Sequence, residues 1–322
     1  MRWKWVMQSM LIVSGIGLGA ASGWASSATE LNKDYRTYYQ DGRIEYGNIG
    51  DSYNADLVLY LAGNQFMVMD ELIKDFMKKH PNIKTTYVET IPPGQILKQI
   101  LGQGQINGQN TAMNPDVYAS VNLGHLKQLH EKGLMDRYEI YTHNKLALMV
   151  AAGNPKGIAG PKDLARDDLV QSHPNPITEG IFKFYGAQML KDLGIYEKVT
   201  GNAMCKECWA IKGKTWFTQR HHRETPDRIE QGLADVGIVW TTEIIEAKKH
   251  DRKIDGIAIP APLNMADKVG YAAGVLKTGR NHDNAMHYVG YLRTKAAQDI
   301  YAEYGFIPAT REETALKPIP AM

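Results

Sequence analysis

Cysteine is scarce in this sequence, neither sign of charge predominates, and no hydrophobic run is long enough to cross a bilayer. The 322 residues contain two cysteines, which excludes a small scaffold held together by many disulfides. Lysine and arginine number 37 against 35 aspartates and glutamates, so no strong net field draws the chain to nucleic acid or to an anionic membrane. We therefore expect a globular protein that does not bind nucleic acid.

The motifs of several enzyme classes are also missing. The sequence has no G-x-S-x-G nucleophile elbow, no H-E-x-x-H zinc helix and no phosphate-binding P-loop. Its one C-x-x-C pair is followed by Trp209, where covalent attachment of haem requires histidine. We therefore expect a binding protein without catalysis rather than an enzyme.

The first 25 residues have the pattern of a secretory signal peptide. Arg2 and Lys4 precede the apolar stretch 10–20, and small residues around Ala25 offer a cleavage site. The apolar stretch is shorter than the ~20 residues that a membrane-spanning helix needs. A lipoprotein would need cysteine at the cut, where this sequence has none. We expect an exported, freely soluble protein, for which the periplasm is the fitting compartment.

About 300 residues follow this signal, more than one hydrophobic core usually organises, which predicts two domains or lobes. Residues 26–54 are polar and rich in turn formers, and we assign them no structure. Beyond them, apolar strand segments alternate with amphipathic helices, which predicts an α/β fold with parallel strands covered by helices on both faces. The predicted strands cover residues 56–62, 83–89, 116–121, 145–151, 236–240, 254–259 and 271–276.

Five segments in a fixed order resemble the type 2 periplasmic solute-binding proteins, above all their molybdate- and sulfate-type branch. They are LYLAGN at 59–64, PDVYAS at 115–120, LALMV at 146–150, DVGIVW at 235–240 and YGFIP at 304–308. The resemblance covers the chain from residue 55 to residue 310. It implies the substrate-binding protein of an ABC importer, which captures a small oxyanion such as molybdate, tungstate or sulfate and presents it to a permease in the inner membrane. A monomer without a cofactor is expected.

The same resemblance implies the domain organisation. It assigns residues 55–144 and 260–322 to lobe 1 and residues 145–259 to lobe 2, each lobe being a mixed, mostly parallel sheet flanked by helices. The chain would cross between the lobes twice, near residue 144 and near residue 259. Ligand binding would close the lobes by a hinge motion.

The resemblance also implies which residues contact the ligand. In that branch, helix N-termini from both lobes donate hydrogen bonds to the anion. The corresponding positions here are Asn64, Gly94, Thr178, Thr225 and Trp240. Thr178 has an equally good interpretation as a helix N-cap. The branch favours serine at positions 64 and 94 and tyrosine at position 240, so these departures leave the identity of the anion open.

The segment 204–225 departs from the ordinary pattern of that branch. Cys205 and Cys208 are interpreted first as a structural disulfide, because the chain is expected in an oxidising compartment. With His221 and His222 they also have the donor types of a zinc or copper site. A thiol–disulfide redox pair is the third interpretation.

Arg223 follows these histidines and stands two positions before Thr225. Its guanidinium has the fork geometry that grips an oxyanion, so we add it to the predicted ligand contacts. Two functional alternatives remain open from the sequence. One is a receptor of the same fold that presents its ligand or metal to a sensor kinase or a metalloenzyme system. The other is a thiol oxidoreductase acting through its C-x-x-C pair.

Overall fold

The computed structural model describes residues 33–102, 105–106, 109–110, 114–177, 179–201, 215–218 and 223–321. Within these residues the chain forms a nine-stranded sheet, a five-stranded sheet and a small two-stranded ribbon, with helices packed on the larger sheets. We call the nine-stranded sheet and its helices lobe 1, and the five-stranded sheet and its helices lobe 2. The α/β class predicted from the sequence is confirmed.

The elements have the following bounds. The strands are β1 (Tyr35–Tyr39), β2 (Ile44–Tyr46), β3 (Leu57–Ala62), β4 (Thr85–Ile91), β5 (Gln105–Ile106), β6 (Gln109–Asn110), β7 (Val117–Ser120), β8 (Arg137–His143), β9 (Leu146–Ala151), β10 (Gln171–His173), β11 (Thr215–Phe217), β12 (Val236–Trp240), β13 (Ile254–Ala258), β14 (Gly270–Val275), β15 (Ile307–Pro308) and β16 (Lys317–Pro318). The α-helices are α1 (Met69–Lys79), α2 (Pro93–Ile100), α3 (Gly124–Glu131), α4 (Ala187–Asp192), α5 (Tyr196–Thr200), α6 (Glu224–Glu230), α7 (Thr241–Lys249), α8 (His282–Leu292) and α9 (Lys295–Glu303). Single 3-10 segments span Ile49–Tyr53, Gly63–Val68 and Pro161–Ala165, and a π-helical turn, Ile181–Gly186, leads directly into α4.

Both large sheets are mixed. In lobe 1 the strand order is β15-β8-β14-β7-β3-β4-β1-β2, with β16 also paired to β8, and in lobe 2 it is β11-β10-β12-β9-β13. Parallel pairs occupy the β4–β3–β7 and β11–β10–β12 stretches. Antiparallel pairs flank them, because β14 and β9 run against their neighbours.

The chain passes between the two sheets at two places. Strand β8 ends in lobe 1 at His143 and β9 begins in lobe 2 at Leu146, so Asn144 and Lys145 form a short crossing. Strand β13 ends at Ala258 in lobe 2 and β14 begins at Gly270 in lobe 1. Two crossings of this kind permit the lobes to rotate toward and away from each other as rigid bodies.

Local sequence explains the central elements. All six residues of β3 are buried, because this strand lies inside the sheet with both faces covered, and it therefore reads as a continuous apolar run. Helix α1 buries Leu72 and Phe76 on one face. It carries acidic residues in its first turn and lysines in its last, as the helix dipole favours.

Several strands were not expected from the sequence. Residues 26–54 carry no structural prediction, yet β1 and β2 extend lobe 1 and β1 pairs with β4. Strand β8 alternates polar residues with tyrosine and isoleucine instead of forming an apolar run, since parts of it remain exposed. Strands β10 and β11 have three residues each, too few for a periodicity to register.

The hydrophobic core consists of layers on the faces of the two sheets. One continuous cluster runs from lobe 1 into lobe 2 and includes Phe76, Tyr271, Phe182 and Trp240. The opposite face of each sheet has its own cluster. In the described part of the chain, no helix combines the length and the apolar character needed to cross a membrane.

A close approach inside lobe 2 makes a glycine necessary. A methyl group added at Gly237 would collide with the Thr225 side chain and with the main-chain carbonyl of Ser172. We expect Gly237→Ala to destabilise the fold by about 1–3 kcal/mol, since neither neighbour has room to move. Gly290→Ala in α8 meets no atom within 4 Å and is the matched control, expected to stabilise by about 0.5–1 kcal/mol. Urea unfolding of both variants measures the difference, and equal stability of the two would contradict this packing.

Candidate functional site

A small cavity lies where the two lobes meet. Lobe 1 contributes Gly63, Asn64, Pro92, Pro93 and Val121 to its lining. Lobe 2 contributes Glu179, Gly180, Ile181, Arg223 and Trp240. The space open to water-sized atoms is about 30 Å³. Because a single water needs roughly 10–15 Å³ by this measure, the cavity suits a ligand of a few heavy atoms.

Helix starts from both lobes surround this cavity. Among the described residues, the lining includes the first residue of the Gly63–Val68, α2 and Ile181–Gly186 helices. It also includes Arg223 and Trp240, which directly precede α6 and α7. The first N–H groups of a helix have no acceptor inside that helix, and the helix dipole places partial positive charge there. Helix dipoles thus direct partial positive charge at the cavity from both lobes. At α7 the N–H groups of Trp240 and Thr241 already donate, to the Glu243 carboxylate and to the Lys145 carbonyl oxygen.

The strand-to-helix turns bring these starts together. Gly63 follows β3, Pro92 follows β4 and Trp240 ends β12, so these turns stand at carboxyl ends of strands. Glycine at position 63 lets the turn after β3 pass close to the end of β4, because a Cβ there would lie 3.1 Å from the carbonyl carbon of Ile91. Ligands of open α/β sheets bind at this edge, as the sequence predicts.

Asn64 lies in the cavity wall, but its amide serves the interior of the protein. It is buried, and its Nδ2 donates to the hydroxyl of Tyr271. Asn144 in the crossing donates to the same hydroxyl over 3.2 Å and to Oγ1 of Thr242 over 3.0 Å. The wall at Asn64 is therefore connected by hydrogen bonds to the hinge and to the first turn of α7.

Trp240 forms part of the wall in lobe 2. Its side chain is buried, and the ring of Tyr185 meets it edge to face with 5.7 Å between ring centroids. The Tyr185 hydroxyl donates over 2.8 Å to the carbonyl oxygen of Val121, which belongs to lobe 1. This hydrogen bond joins the lobes at the cavity. Nothing in the sequence around Tyr185 predicts it.

Arg223 borders the cavity and reaches into lobe 1. Its Nη2 donates to the carboxylate of Asp34, and its guanidinium lies over the ring of Phe66 at 4.6 Å from the centroid. Burial raises the pKa of the Asp34 carboxyl, and the adjacent Arg223 charge opposes that rise. Arg223, a ligand contact predicted from the sequence, thus borders the cavity, and its role toward a ligand stays a prediction. The sequence gave no hint of Asp34, which lies in the segment left without structure.

Glu179 is a buried carboxylate at the cavity that the sequence did not predict. Its Oε1 accepts from the main-chain N–H of Asn175 over 3.2 Å and from the Thr218 hydroxyl. The neighbouring Thr178, a predicted contact, lies outside the described residues, as do Cys205, Cys208, His221 and His222.

Gly94 and Thr225 lie near the cavity without lining it. Gly94 is the second residue of α2, and the nearest atom to a Cβ built there is Cε1 of His125, 4.0 Å away. Thr225 is fully buried in lobe 2, with its hydroxyl 3.1 Å from that of Ser172. Thr225 therefore supports α6 from within, while the residue before that helix, Arg223, reaches the cavity.

His125 adds a neutral imidazole beneath the start of α2. Its Nδ1 lies 3.0 Å from the Tyr118 hydroxyl and 3.1 Å from that of Ser120. Burial, with a smaller contribution from the charge of Lys183, lowers the pKa of His125 to about 4. The described residues contain no group of three or more side chains placed to hold a metal ion. The predicted zinc or copper site involves residues outside them and stays a prediction.

Comparisons with known proteins agree with this architecture. Residues 57–307 match the family described as bacterial extracellular solute-binding protein. A sulfate-binding protein of Synechococcus elongatus is 26% identical over 213 residues, 62% of this chain and 59% of that protein. A thiosulfate-binding protein of Escherichia coli is 26% identical over 174 residues, 50% of this chain and 49% of that protein. The matches thus span between half and three fifths of the length of these relatives.

A solved structure shows the same fold. The periplasmic molybdate-binding protein of Azotobacter vinelandii superposes with a TM-score of 0.62 at 19% identity, over 79% of this chain and 100% of that one. The two-lobed architecture implied by the sequence resemblance is confirmed by this likeness.

The lobes approach each other closely at Gly180. A Cβ at Gly180 would lie 3.4 Å from Cγ2 of Val121 in the other lobe, so Gly180→Val inserts a wedge between them. We expect this variant to have a larger radius of gyration by small-angle X-ray scattering at an unchanged melting temperature. Gly160→Val, also in lobe 2 but with open space around its Cβ, should scatter like the unmodified protein. Identical scattering from all three proteins would show that the lobes do not meet at Gly180.

Proposed function

The chain belongs to the bacterial extracellular solute-binding proteins, and on this premise we propose that it captures a small oxyanion between its lobes and delivers it to an ABC importer. The proposal includes export to the periplasm, a permease as partner and transport without catalysis. Molybdate, tungstate and sulfate are the anions named by the sequence resemblance, and the class they share is a compact tetrahedral oxyanion.

The convergence of helix starts on one small cavity carries this proposal. An oxyanion presents several acceptor oxygens and no other demanding group, so it needs donors from several directions at short range. Main-chain N–H groups at helix starts meet that need from fixed positions. Their donation strengthens when the site is dry, because the local dielectric constant is low.

The cavity dimensions support a compact anion. About 30 Å³ of open space favours a ligand of a few heavy atoms over a peptide or a nucleotide. The curated relatives are named for sulfate and thiosulfate, which are compact tetrahedral oxyanions. Size and charge therefore point to the same class of ligand.

The hinge supplies the mechanism. Opening would separate Val121 from Tyr185 and expose the helix starts to solvent, where an anion can enter. Closure would bury the anion and exchange its hydration shell for fixed N–H donors. The hydrogen bonds among Asn64, Tyr271, Asn144 and Thr242 connect the cavity wall to the crossing at Asn144. A permease that contacts both lobes would then distinguish the closed, loaded form from the open one.

Thermal denaturation in the presence of candidate ligands tests the proposal. An anion at ~100 times its dissociation constant should add about 2.7 kcal/mol to the free energy of unfolding and raise the melting temperature by several degrees. The panel comprises sulfate, thiosulfate, molybdate, tungstate, phosphate, arsenate, small carboxylates, zinc and copper, with sodium chloride at equal ionic strength as the control. A rise with a tetrahedral oxyanion and none with chloride is the expected result. A response confined to zinc, copper or an organic acid would contradict the proposal.

A further inference from the structure

The N-terminal segment ahead of the family match contributes to the ligand cleft. The match begins at residue 57, whereas β1 and β2 lie between residues 35 and 46. Asp34 directly precedes β1, and its carbonyl oxygen accepts from the N–H of Thr90 over 2.8 Å. This bond fixes Asp34 beside the end of β4, the strand that leads into Pro92 at the cavity.

Arg223 reaches Asp34 from the other lobe. Arg223 directly precedes α6 in lobe 2, while Asp34 and Phe66, which it contacts, belong to lobe 1. The side chains of Arg223 and Asp34 are only 9% and 3% exposed. Removing one partner of an ion pair this deeply buried destabilises the state that contains it, because the other charge is left buried and unpaired.

The same arginine borders two cavities. One is the ligand cavity, and the other is a neighbouring cavity of about 170 Å³ that also touches Phe66, Pro226 and Glu243. A movement of the Arg223 side chain would therefore change the walls of both cavities.

From these contacts we propose that Asp34 is a positioning residue of the anion site: it holds Arg223 across the cleft and latches the closed lobes. The inference rests on the proposed function for the ligand, while the latch itself is a property of the two lobes. Arg223 with its charge paired by Asp34 then serves closure more than direct attraction of the anion. The N-terminal strand thereby becomes part of the binding machinery.

Loss of the Asp34–Arg223 ion pair would affect the closed form of the protein and not the open form. When the lobes open, Asp34 and Arg223 are both free to be solvated, and neither charge is left buried. Neutralising Asp34 therefore penalises the closed form and leaves the open form nearly unchanged. Loss of one partner of a buried charge pair mainly accelerates dissociation.

The test is a double-mutant cycle of Asp34→Asn, Arg223→Gln and the two combined, with Asp41→Asn as the control. Asp41 is an exposed carboxylate of the same segment. Calorimetric titration with sulfate, molybdate and phosphate should show that Asp34→Asn lowers the affinity for the anion by about tenfold or more. The loss should arise chiefly from faster dissociation of the anion. The double variant should lose little beyond either single variant, Asp34→Glu should recover part of the loss, and Asp41→Asn should bind normally.

Small-angle X-ray scattering without added anion tests the Asp34–Arg223 latch independently of the proposed oxyanion binding. Asp34→Asn should enlarge the radius of gyration, whereas Asp41→Asn should not. Failure of all three anions to bind, with the scattering difference present, would overturn the oxyanion function and leave the latch standing. Scattering and anion affinity that are unchanged in Asp34→Asn, or losses that add up independently in the double variant, would overturn the latch.

Discussion

Main-chain N–H groups at the start of a helix have no acceptor in their own helix, and this constraint organises the whole molecule. The Gly63–Val68 helix and α2 begin at the cavity in lobe 1, and the Ile181 turn and α7 begin there in lobe 2. The core layers, the strand order and the tight turn at Gly63 all serve to place these starts around one cavity. This arrangement is what supports the proposal of an anion as the ligand.

Division of the site between two lobes follows from the same constraint. Donors on a single sheet edge would leave half of an oxyanion exposed to water, whereas two facing edges can surround it. The short crossing at Asn144 then becomes the pivot, and contacts between the lobes decide how long the closed form lasts. Tyr185 with Val121 and Arg223 with Asp34 are such contacts, one neutral and one charged.

The sequence predicted the buried centre of the fold better than its cleft. Apolar strands such as β3 are visible because burial on both faces demands a continuous hydrophobic run. The family resemblance of the segment DVGIVW, which ends at Trp240, predicted a position at the cleft for this residue. The roles of Asp34 and Thr225 could not be predicted from the sequence. A polar residue gives the same sequence signal whether it faces a ligand, pairs with a distant arginine or supports a helix from inside. Only the packing of two lobes against each other distinguishes these cases.

Hydrogen–deuterium exchange of main-chain amides tests the central claim most directly. The protein is compared without ligand and with the oxyanion that raises its melting temperature most. The account predicts slower exchange at residues 64–66, 94–96, 181–183 and 241–243 together, because the bound anion accepts from or encloses helix starts of both lobes. The start of α8, remote from the cavity, should exchange at the same rate in both samples. Slower exchange in one lobe alone, or at none of these helix starts, would contradict an anion held between the lobes.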